Sequence, residues 1–318
     1  MDIKITKGDG FCDGCVLAVL KRMSLSSRMI KYLKYREDGI MVNGDRVTVR
    51  YILRDGDTLS LSMTDSASAD CRPVDIPLSI AFENDSLIVV DKPPFMPTHT
   101  SHDHYDDTLA NALAAYFTQK GVPFVFRPIN RLDRNTSGLV LVAKNKHAAS
   151  FLSKSMRERM IRKTYIAVLD GYLSDSDERL GTTDDGLFVI SRALHRTAES
   201  IIVREVCDDD APDAEAATTT FRILKRENQM TLVEAHPITG RTHQLRVHFA
   251  HLGCPILGDD IYGTPSPHIS RHALHAASLT LPLPGEPLSH GEECRQLSLS
   301  APLPKDMEEL IDKFFSKG

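Results

Sequence analysis

The chain has 318 residues, of which 42% are hydrophobic and 25% are charged, and its formal net charge is −5 at pH 7. These proportions are typical of a globular protein and exclude a disordered or fibrous chain. There is no run of about 18 apolar residues, and the charged N-terminus lacks the apolar segment of a secretory signal. We therefore expect a cytoplasmic protein without a membrane segment, whose six scattered cysteines are reduced.

The charged residues are unevenly distributed along the chain. Basic residues recur between Arg127 and Lys163, whereas acidic residues collect at 175–178 and 208–210. A net negative charge by itself argues against a nucleic-acid partner, because phosphate groups attract lysine and arginine. One basic surface on an acidic body is the distribution that this pattern predicts.

The first 63 residues predict a small α/β unit with two helices, at 15–23 and 28–35. A hairpin around Asn43-Gly44 and a strand at 58–63 follow. Residues 64–77 are rich in Ser, Ala, Asp and Pro and predict a linker.

Beyond the linker, from residue 78 to 318, strand and helix patterns alternate. They predict strands at 86–90 and 139–142 and helices at 108–116 and 146–156. Residues 173–217 are acidic and polar, and we expect their end, 208–220, to be an exposed loop. The fold class is α+β, with a mixed, mostly antiparallel sheet flanked by helices and loops.

The segment Arg-Leu-Asp-Arg-Asn-Thr-Ser-Gly at 131–138 directly precedes the apolar run at 139–142. It predicts a polar loop that is fixed by a buried strand, where catalytic groups often lie. Arg131 and Arg134 flank Asp133, and nearby positive charge lowers the pKa of a carboxyl group. Such an aspartate suits a nucleophile, although a structural ion pair at a turn explains the triplet equally well by itself.

A second segment, at 237–253, combines a glycine-containing turn with a pattern that predicts an amphipathic, basic helix. It contains Thr-Gly-Arg-Thr-His-Gln-Leu-Arg-Val-His. Together the two segments resemble the signature motifs of the RluA-type family of RNA pseudouridine synthases. Further matches occur at 90–93, 163–168, 255–259, 262–263 and 274–276, so the resemblance covers about residues 80 to 285.

The resemblance implies an isomerase that acts on RNA and needs no cofactor. It implies that Asp133 is the catalytic aspartate, that Tyr165 packs against the flipped base, and that Arg241 pairs with the aspartate. Attack on the sugar and removal of its proton both remain open as the role of Asp133. Tyr165 fits a strand core equally well, and Asn130 stands where the family commonly has histidine.

The N-terminal unit resembles the α-L RNA-binding module of a ribosomal small-subunit protein. In this interpretation Arg28, Lys31 and Lys34 contact RNA phosphates, as do Arg131 and Arg134 in the loop around Asp133. The alternative for the helix is a solvated charged face. The module would raise the effective concentration of RNA at the catalytic domain.

No motif indicates a metal or a nucleotide cofactor. Cys12 and Cys15 form only half of a zinc site, and the histidines near 243–251 lack the spacing of a complete site. Gly-rich phosphate-binding loops are missing from the sequence.

RNA is therefore the expected partner, with ribosomal RNA favoured and transfer RNA as an alternative, and the oligomeric state is not predicted. Two other functions remain. A glycoside or nucleoside hydrolase would need a second carboxylate, which the motif around Asp133 lacks. A non-catalytic RNA chaperone would not need Asp133, Tyr165 and Arg241.

Overall fold

The computed structural model describes residues 2–23, 25, 27–62, 71–101, 103–284 and 296–315, without the side chains at 28, 29 and 32. Residues 63–70, which include the first half of the predicted linker, lie outside the described part. So do Cys294 and the side chain of Arg28, whose predicted RNA contact therefore stays a prediction.

The N-terminal unit, residues 2–62, is a four-stranded antiparallel sheet with two helices. Its elements are Asp2–Lys4 (β1), Val16–Arg22 (α1), Ser27–Tyr35 (α2), Ile40–Val42 (β2), Asp45–Arg46 (β3) and Thr58–Leu61 (β4). The strand order is β1-β4-β2-β3. Asn43 and Gly44 have φ values of 53° and 90°, as the tight turn of a hairpin requires. The two helices and the hairpin confirm the predicted elements.

The main body, residues 71–315, is built on a ten-stranded sheet. Its elements are Ser79–Glu83 (β5), Leu87–Lys92 (β6), Leu109–Gln119 (α3), Ser137–Ala143 (β7), Lys146–Arg157 (α4), Arg162–Asp170 (β8), Gly181–Thr182 (β9), Phe188–Ser191 (β10), Ala193–Arg196 (β11), Arg204–Cys207 (β12), Thr218–Glu227 (β13), Met230–Pro237 (β14), Gln244–His251 (α5), Leu274–Pro282 (β15), Gln296–Ser300 (β16) and Lys305–Phe315 (α6). The order is β5-β6-β7-β15-β8-β14-β13-β10-β9, with β16 paired to β15, while β11 and β12 form a separate hairpin.

Among the described strands, only β7 and β15 pair in parallel, so the sheet is mixed and mostly antiparallel, as predicted. Both of its faces are covered near β7, all of whose residues are buried. Alternate residues of β6 and β7 enter two cores, one packed on α3 and the other on α4. A strand covered on both faces reads as a continuous apolar run. None of the described helices is both long and apolar enough to cross a membrane.

Strand β15 aligns the parts of the sheet that carry the two main motifs. Ala276 of β15 is in register with Gly138 at the start of β7 and, on its other side, with Tyr165 of β8. The loop that precedes β7 therefore lies one strand away from Tyr165. This register places Asp133 and Tyr165, 32 residues apart in sequence, at the same region of the sheet.

The segment expected to be polar and exposed is more ordered than predicted. Residues 173–217 contain β9 to β12, and β13 begins at Thr218. The prediction of an exposed loop at 208–220 is therefore wrong for residues 218–220. Ala217 and Thr219 are buried. The hydroxyl of Thr219 contacts the buried side chains of Gln244 and His248. A hydropathy pattern does not predict that a polar residue is buried in this way.

Part of the predicted linker packs against the main body. The backbone N–H of Val74 donates to the carbonyl of Asn111 in α3, and the Asn111 amide donates to the carbonyl of Arg72. Ile76 packs against the larger core. Residues 72–76 therefore form a strap on α3, whereas the domain boundaries at 63 and 78 stay predictions.

The close approach of β7 to β15 can be tested by a substitution at Gly138. Its φ is +110°, and an added Cβ would lie 2.2 Å from the carbonyl oxygen of Ala276. We expect Gly138→Ala to lower the free energy of unfolding by about 3 kcal/mol or more, because overpacking adds to backbone strain.

Gly253→Ala is the matched control, since Gly253 also has a positive φ but open space around it. It should cost about 1–2 kcal/mol from strain alone. Urea unfolding of both variants measures the difference. Equal costs would contradict a steric requirement at Gly138.

Candidate active site

The Asp133 loop, residues 131–136, forms one wall of a cleft of about 630 Å³. Leu132 within it is buried, and its backbone N–H and carbonyl both bond to the Thr98 hydroxyl, at 3.2 and 2.8 Å. The backbone N–H of Thr136 donates to the carbonyl of Asp133 at 3.1 Å. The backbone of Asp133 is thus held through Leu132 on one side and through its own carbonyl on the other.

Two buried cations brace the same loop through its carbonyl groups. Lys92 Nζ donates to the carbonyls of Pro93, Met96 and Arg134. Burial lowers the pKa of Lys92 to about 7. Arg271 Nη1 donates to the carbonyl of Asn135 at 3.0 Å.

The Arg271 brace reaches the C-terminal helix. Arg271 makes a two-fold ion pair with Asp306 of α6, with N···O distances of 2.7 and 2.9 Å. Sequence reasoning missed Arg271 and Asp306, because neither lies in a motif that indicates a contact with the loop, and Arg271 is 136 residues from Asn135.

Asn130 has a structural role in the loop. Its amide nitrogen donates to the carbonyl of Leu139, and its amide oxygen accepts the backbone N–H of Leu141 at 2.7 Å. Both polar atoms of the side chain are used by the edge of β7. Asn130, which departs from the family pattern, therefore attaches the Asp133 loop to β7.

The carboxylate of Asp133 faces α5. Arg246 Nη1 lies 3.5 Å from Asp133 Oδ2, and His243 Nε2 lies 3.9 Å from the same oxygen. Arg246 is buried and makes two 2.7 Å hydrogen bonds to Asp259. Burial opposes its charge, but the bonds to Asp259 outweigh this effect, so the pKa of Arg246 is raised.

The predicted pairing of Arg241 with Asp133 is wrong. Arg241 Nη1 instead lies 2.9 Å from Glu215, and Arg241 Nε donates to the carbonyl of Ala216. Arg241 lies in the turn before α5, whereas Arg246 lies within the buried first turns of the helix and extends toward Asp133. The predicted amphipathic, basic surface of α5 is also wrong, since residues 244–249 are all buried.

The arginines beside Asp133 in sequence do not pair with it. Arg131 and Arg134 are exposed, and among the described residues the ion contacts of Asp133 come from Arg246 and His243. The positive charge at the aspartate thus comes from a helix that is distant in sequence. Arg131 lines the cleft instead.

Tyr165 lines the cleft and is buried in the sheet at the same time. It is 7% exposed, and it packs in the larger core. Burial, and after it the charge of Asp133, raises the pKa of Tyr165 far above its ordinary value. An aromatic ring that lines a cleft can stack on a flat ligand.

The cleft is strongly basic although the chain carries a net negative charge. Among its lining residues, Asp133 is the one carboxylate. The cations that line it are Arg131, Arg157, Arg159, Lys163, Arg241 and Arg246. A concave surface of one sign concentrates ligands of the opposite sign, so this cleft suits a polyanion. In the described ranges, no three His, Cys, Asp or Glu residues form a group that could hold a metal ion.

Comparisons with known proteins identify the family of this chain. The family model for RNA pseudouridylate synthase matches residues 86–251, which include Asp133, Tyr165 and Arg246. The chain belongs to the RNA pseudouridine synthase family and is an enzyme of this kind, an isomerase that modifies RNA.

Two curated relatives and one solved structure illustrate the match. "Uncharacterized RNA pseudouridine synthase YjbO" of Bacillus subtilis is 32% identical over 91% of this chain and 95% of its own length. "Ribosomal large subunit pseudouridine synthase D" of Xanthomonas campestris is 31% identical over 93% and 86%. Human RNA pseudouridylate synthase domain containing 1 is 26% identical, covers 79% of this chain and 97% of its own, and has a TM-score of 0.53.

The buried pair of Arg246 and Asp259 gives a stability prediction. Arg246→Met leaves the fully buried Asp259 without its partner, so we expect the free energy of unfolding to fall by about 3–5 kcal/mol. Chemical denaturation measures this loss.

Arg222→Met is the matched control, because Arg222 makes a more exposed ion pair with Glu234. It should cost about 1 kcal/mol or less. A loss at Arg246 as small as that at Arg222 would show that Asp259 does not depend on the pair.

Proposed function

We propose that this enzyme converts uridines of ribosomal RNA to pseudouridine with Asp133 as the nucleophile. One observation carries the proposal: Asp133 is the one carboxylate among the residues that line a cationic cleft, and Tyr165 lines the same cleft. The cations favour the RNA backbone, the tyrosine offers a stacking surface, and the carboxylate supplies the reactive group.

The reaction moves the ribose from one atom of the uracil ring to another. The bond from N1 to C1′ breaks, the bond from C5 to C1′ forms, C5 loses its proton and N1 gains one. Because this is an isomerisation, it consumes no oxidant and no second substrate. A carboxylate that attacks C1′ displaces the uracil and holds the sugar while the base turns. Removal of a ribose proton by the same carboxylate is the alternative route.

The contacts of Asp133 indicate which oxygen would react. Arg246 and His243 both make their shortest contact with Oδ2. We assign the attack to Oδ1, because a charge-paired oxygen is the weaker nucleophile of the two.

The uridine must leave the RNA stack before it can reach Asp133. An enzyme that acts on a base extrudes it into a pocket, where stacking on an aromatic side chain compensates part of the unstacking cost. We assign this contact to Tyr165. A glycoside hydrolase needs two facing carboxylates, whereas the lining residues include Asp133 alone, so hydrolysis is the weaker interpretation.

Ribosomal RNA is the proposed substrate because several relatives that are 31–32% identical are named ribosomal large subunit pseudouridine synthase D. We assign phosphate contacts to Arg131 and Arg241, which line the cleft, and to the exposed Arg134, which follows Asp133 in the loop. Arg241 is thereby moved from the catalytic group to the RNA-binding group, since its contacts are with Glu215 and not with Asp133.

The N-terminal unit, as an α-L type module, would bind the same RNA. On α2, Lys31 and Lys34 are exposed, and Tyr35 is 78% exposed beside them. Two cations next to an open aromatic ring combine phosphate attraction with a surface on which a base can stack. Attached to the main body, such a unit raises the local concentration of RNA.

Position-resolved pseudouridine mapping tests the proposed reaction. Ribosomal and transfer RNA are mapped from cells with the wild-type protein, with Asp133→Asn, and without the protein. We expect the same ribosomal sites to disappear in both altered strains, because the amide cannot act as the nucleophile. Asp184→Asn, at an exposed loop residue, should keep all of them.

Three results would count against the proposal in different ways. Sites that persist in the Asp133→Asn strain but disappear in the strain without the protein would refute the role of Asp133. Sites that disappear only from transfer RNA would refute the substrate. No change in any strain would favour a non-catalytic RNA-binding protein.

Removal of the two lysines tests the N-terminal unit. In Lys31→Ala/Lys34→Ala, we expect weaker RNA binding, a salt dependence of log K reduced by about two units of slope, and an unchanged single-turnover rate at saturation. Filter binding at several salt concentrations measures the slope. The matched control, Lys305→Ala/Lys313→Ala in α6, should leave it unchanged, and an equal effect of both pairs would contradict a specific RNA contact on α2.

A further inference from the structure

His243 contacts both Tyr262 and Asp133. Its Nδ1 lies 2.8 Å from the hydroxyl of Tyr262, and its Nε2 lies 3.9 Å from Asp133 Oδ2. The rings of His243 and Tyr262 meet edge to face, with centroids 5.6 Å apart. Tyr262 is not among the residues that line the cleft, whereas His243 is. Tyr262 therefore acts on the site through the residues that it contacts, His243 and Arg246, whose guanidinium lies 5.1 Å from the Tyr262 ring centroid.

The hydrogen bonds of Tyr262 favour one position for the imidazole proton of His243. The backbone N–H of Arg204 donates to the Tyr262 oxygen at 2.9 Å. The hydroxyl proton of Tyr262 is then free to be donated to His243 Nδ1. A neutral imidazole whose Nδ1 accepts must carry its proton on Nε2, the nitrogen that faces Asp133. Burial lowers the pKa of His243, which is consistent with a neutral ring.

The backbone of His243 supports a dedicated role for its ring. It occupies the N-cap of α5 with a φ of 58°, and its side chain makes no capping hydrogen bond. Residues at this position usually cap the helix with a side-chain oxygen, and a left-handed conformation is uncommon outside glycine. Gln244 instead satisfies the turn, because its side-chain oxygen accepts the backbone N–H of Arg241.

We propose that His243 and Tyr262 are positioning residues for Asp133. Tyr262 fixes the imidazole tautomer, and the Nε2–H of His243 then holds Oδ2 together with Arg246, which leaves Oδ1 directed at the ribose. The 3.9 Å separation is longer than a hydrogen bond, and we expect it to shorten when RNA binds, as catalytic contacts often do. The inference rests on the proposed role of Asp133.

The same contacts give the polar segment at 173–217 a function. Arg204 lies in β12, and Val206 of the same strand packs with Tyr262 in a small cluster that also contains Val247 of α5. The hairpin of β11 and β12 therefore supplies both the donor and the packing that hold Tyr262. We infer that this hairpin orients the catalytic carboxylate through Tyr262 and His243.

Two amide variants of His243 separate a positioning role from a structural one. Glutamine places its amide N–H near the position of Nε2 and reaches Asp133, whereas asparagine reaches only the position of Nδ1. Asparagine, however, tolerates a positive φ better. A purely structural role thus predicts that His243→Asn is the better variant, and a positioning role predicts that His243→Gln is.

The rates are measured as single-turnover release of tritium from C5-labelled, unmodified large-subunit ribosomal RNA transcript. We expect His243→Gln to stay within about tenfold of the wild type and His243→Asn to fall about 100-fold, since small displacements of a reacting group cost that much. Tyr262→Phe should lower the rate about tenfold with an unchanged Kd, as a lost orienting hydrogen bond does. A rate for His243→Asn that equals or exceeds that of His243→Gln would overturn the inference.

A spectroscopic measurement on the wild-type enzyme needs neither a variant nor turnover. In the free wild-type enzyme, the ¹⁵N chemical shifts of His243 should show an unprotonated Nδ1 and a protonated Nε2. A proton on Nδ1 would overturn the tautomer assignment whatever the rates are. A full tritium-release rate in Asp133→Asn would instead refute the proposed function, so the two failures are distinguishable.

Discussion

The active site depends on one buried guanidinium, that of Arg246. It makes two short hydrogen bonds to the fully buried Asp259, and its third nitrogen points at Asp133. A buried ion pair contributes little net stability compared with apolar residues of the same size. Its value here is positional, because an arginine held on one side by Asp259 has a fixed direction in which to present charge to Asp133. Arg246 therefore needs Asp259 in order to keep its direction toward Asp133.

The loop that carries Asp133 is held in a similar way from other parts of the chain. Lys92 bonds to the carbonyl of Arg134, and Arg271 bonds to that of Asn135. Cations on carbonyl oxygens constrain the backbone of the loop without occupying its side chains. Rigid supporting contacts of this kind give a reactive group the accuracy that catalysis needs. The cleft can then use exposed arginines at its rim for affinity, where precise placement matters less.

The sequence predicted the parts of this protein that are local in character. The helices, the hairpin at Asn43-Gly44 and the mixed sheet follow from hydrophobic period and turn chemistry, and a motif marked Asp133. It did not predict which arginine faces Asp133, because Arg241 and Arg246 lie in the same motif and only the packing of α5 distinguishes them. The burial of Thr219 was missed for a related reason. Its hydroxyl is satisfied by residues that are close only in the folded chain.

The proposed reaction requires a carboxylate at one fixed position, that of Asp133. This requirement is tested by single-turnover rates of Asp133→Glu and Asp133→Asn, with RNA affinity measured in parallel. Glutamate keeps the charge but moves it by about one methylene, so the account predicts a loss of about 100-fold, and a larger loss for asparagine, with unchanged affinity in both. An asparagine variant that reacts as fast as the wild type would contradict the account.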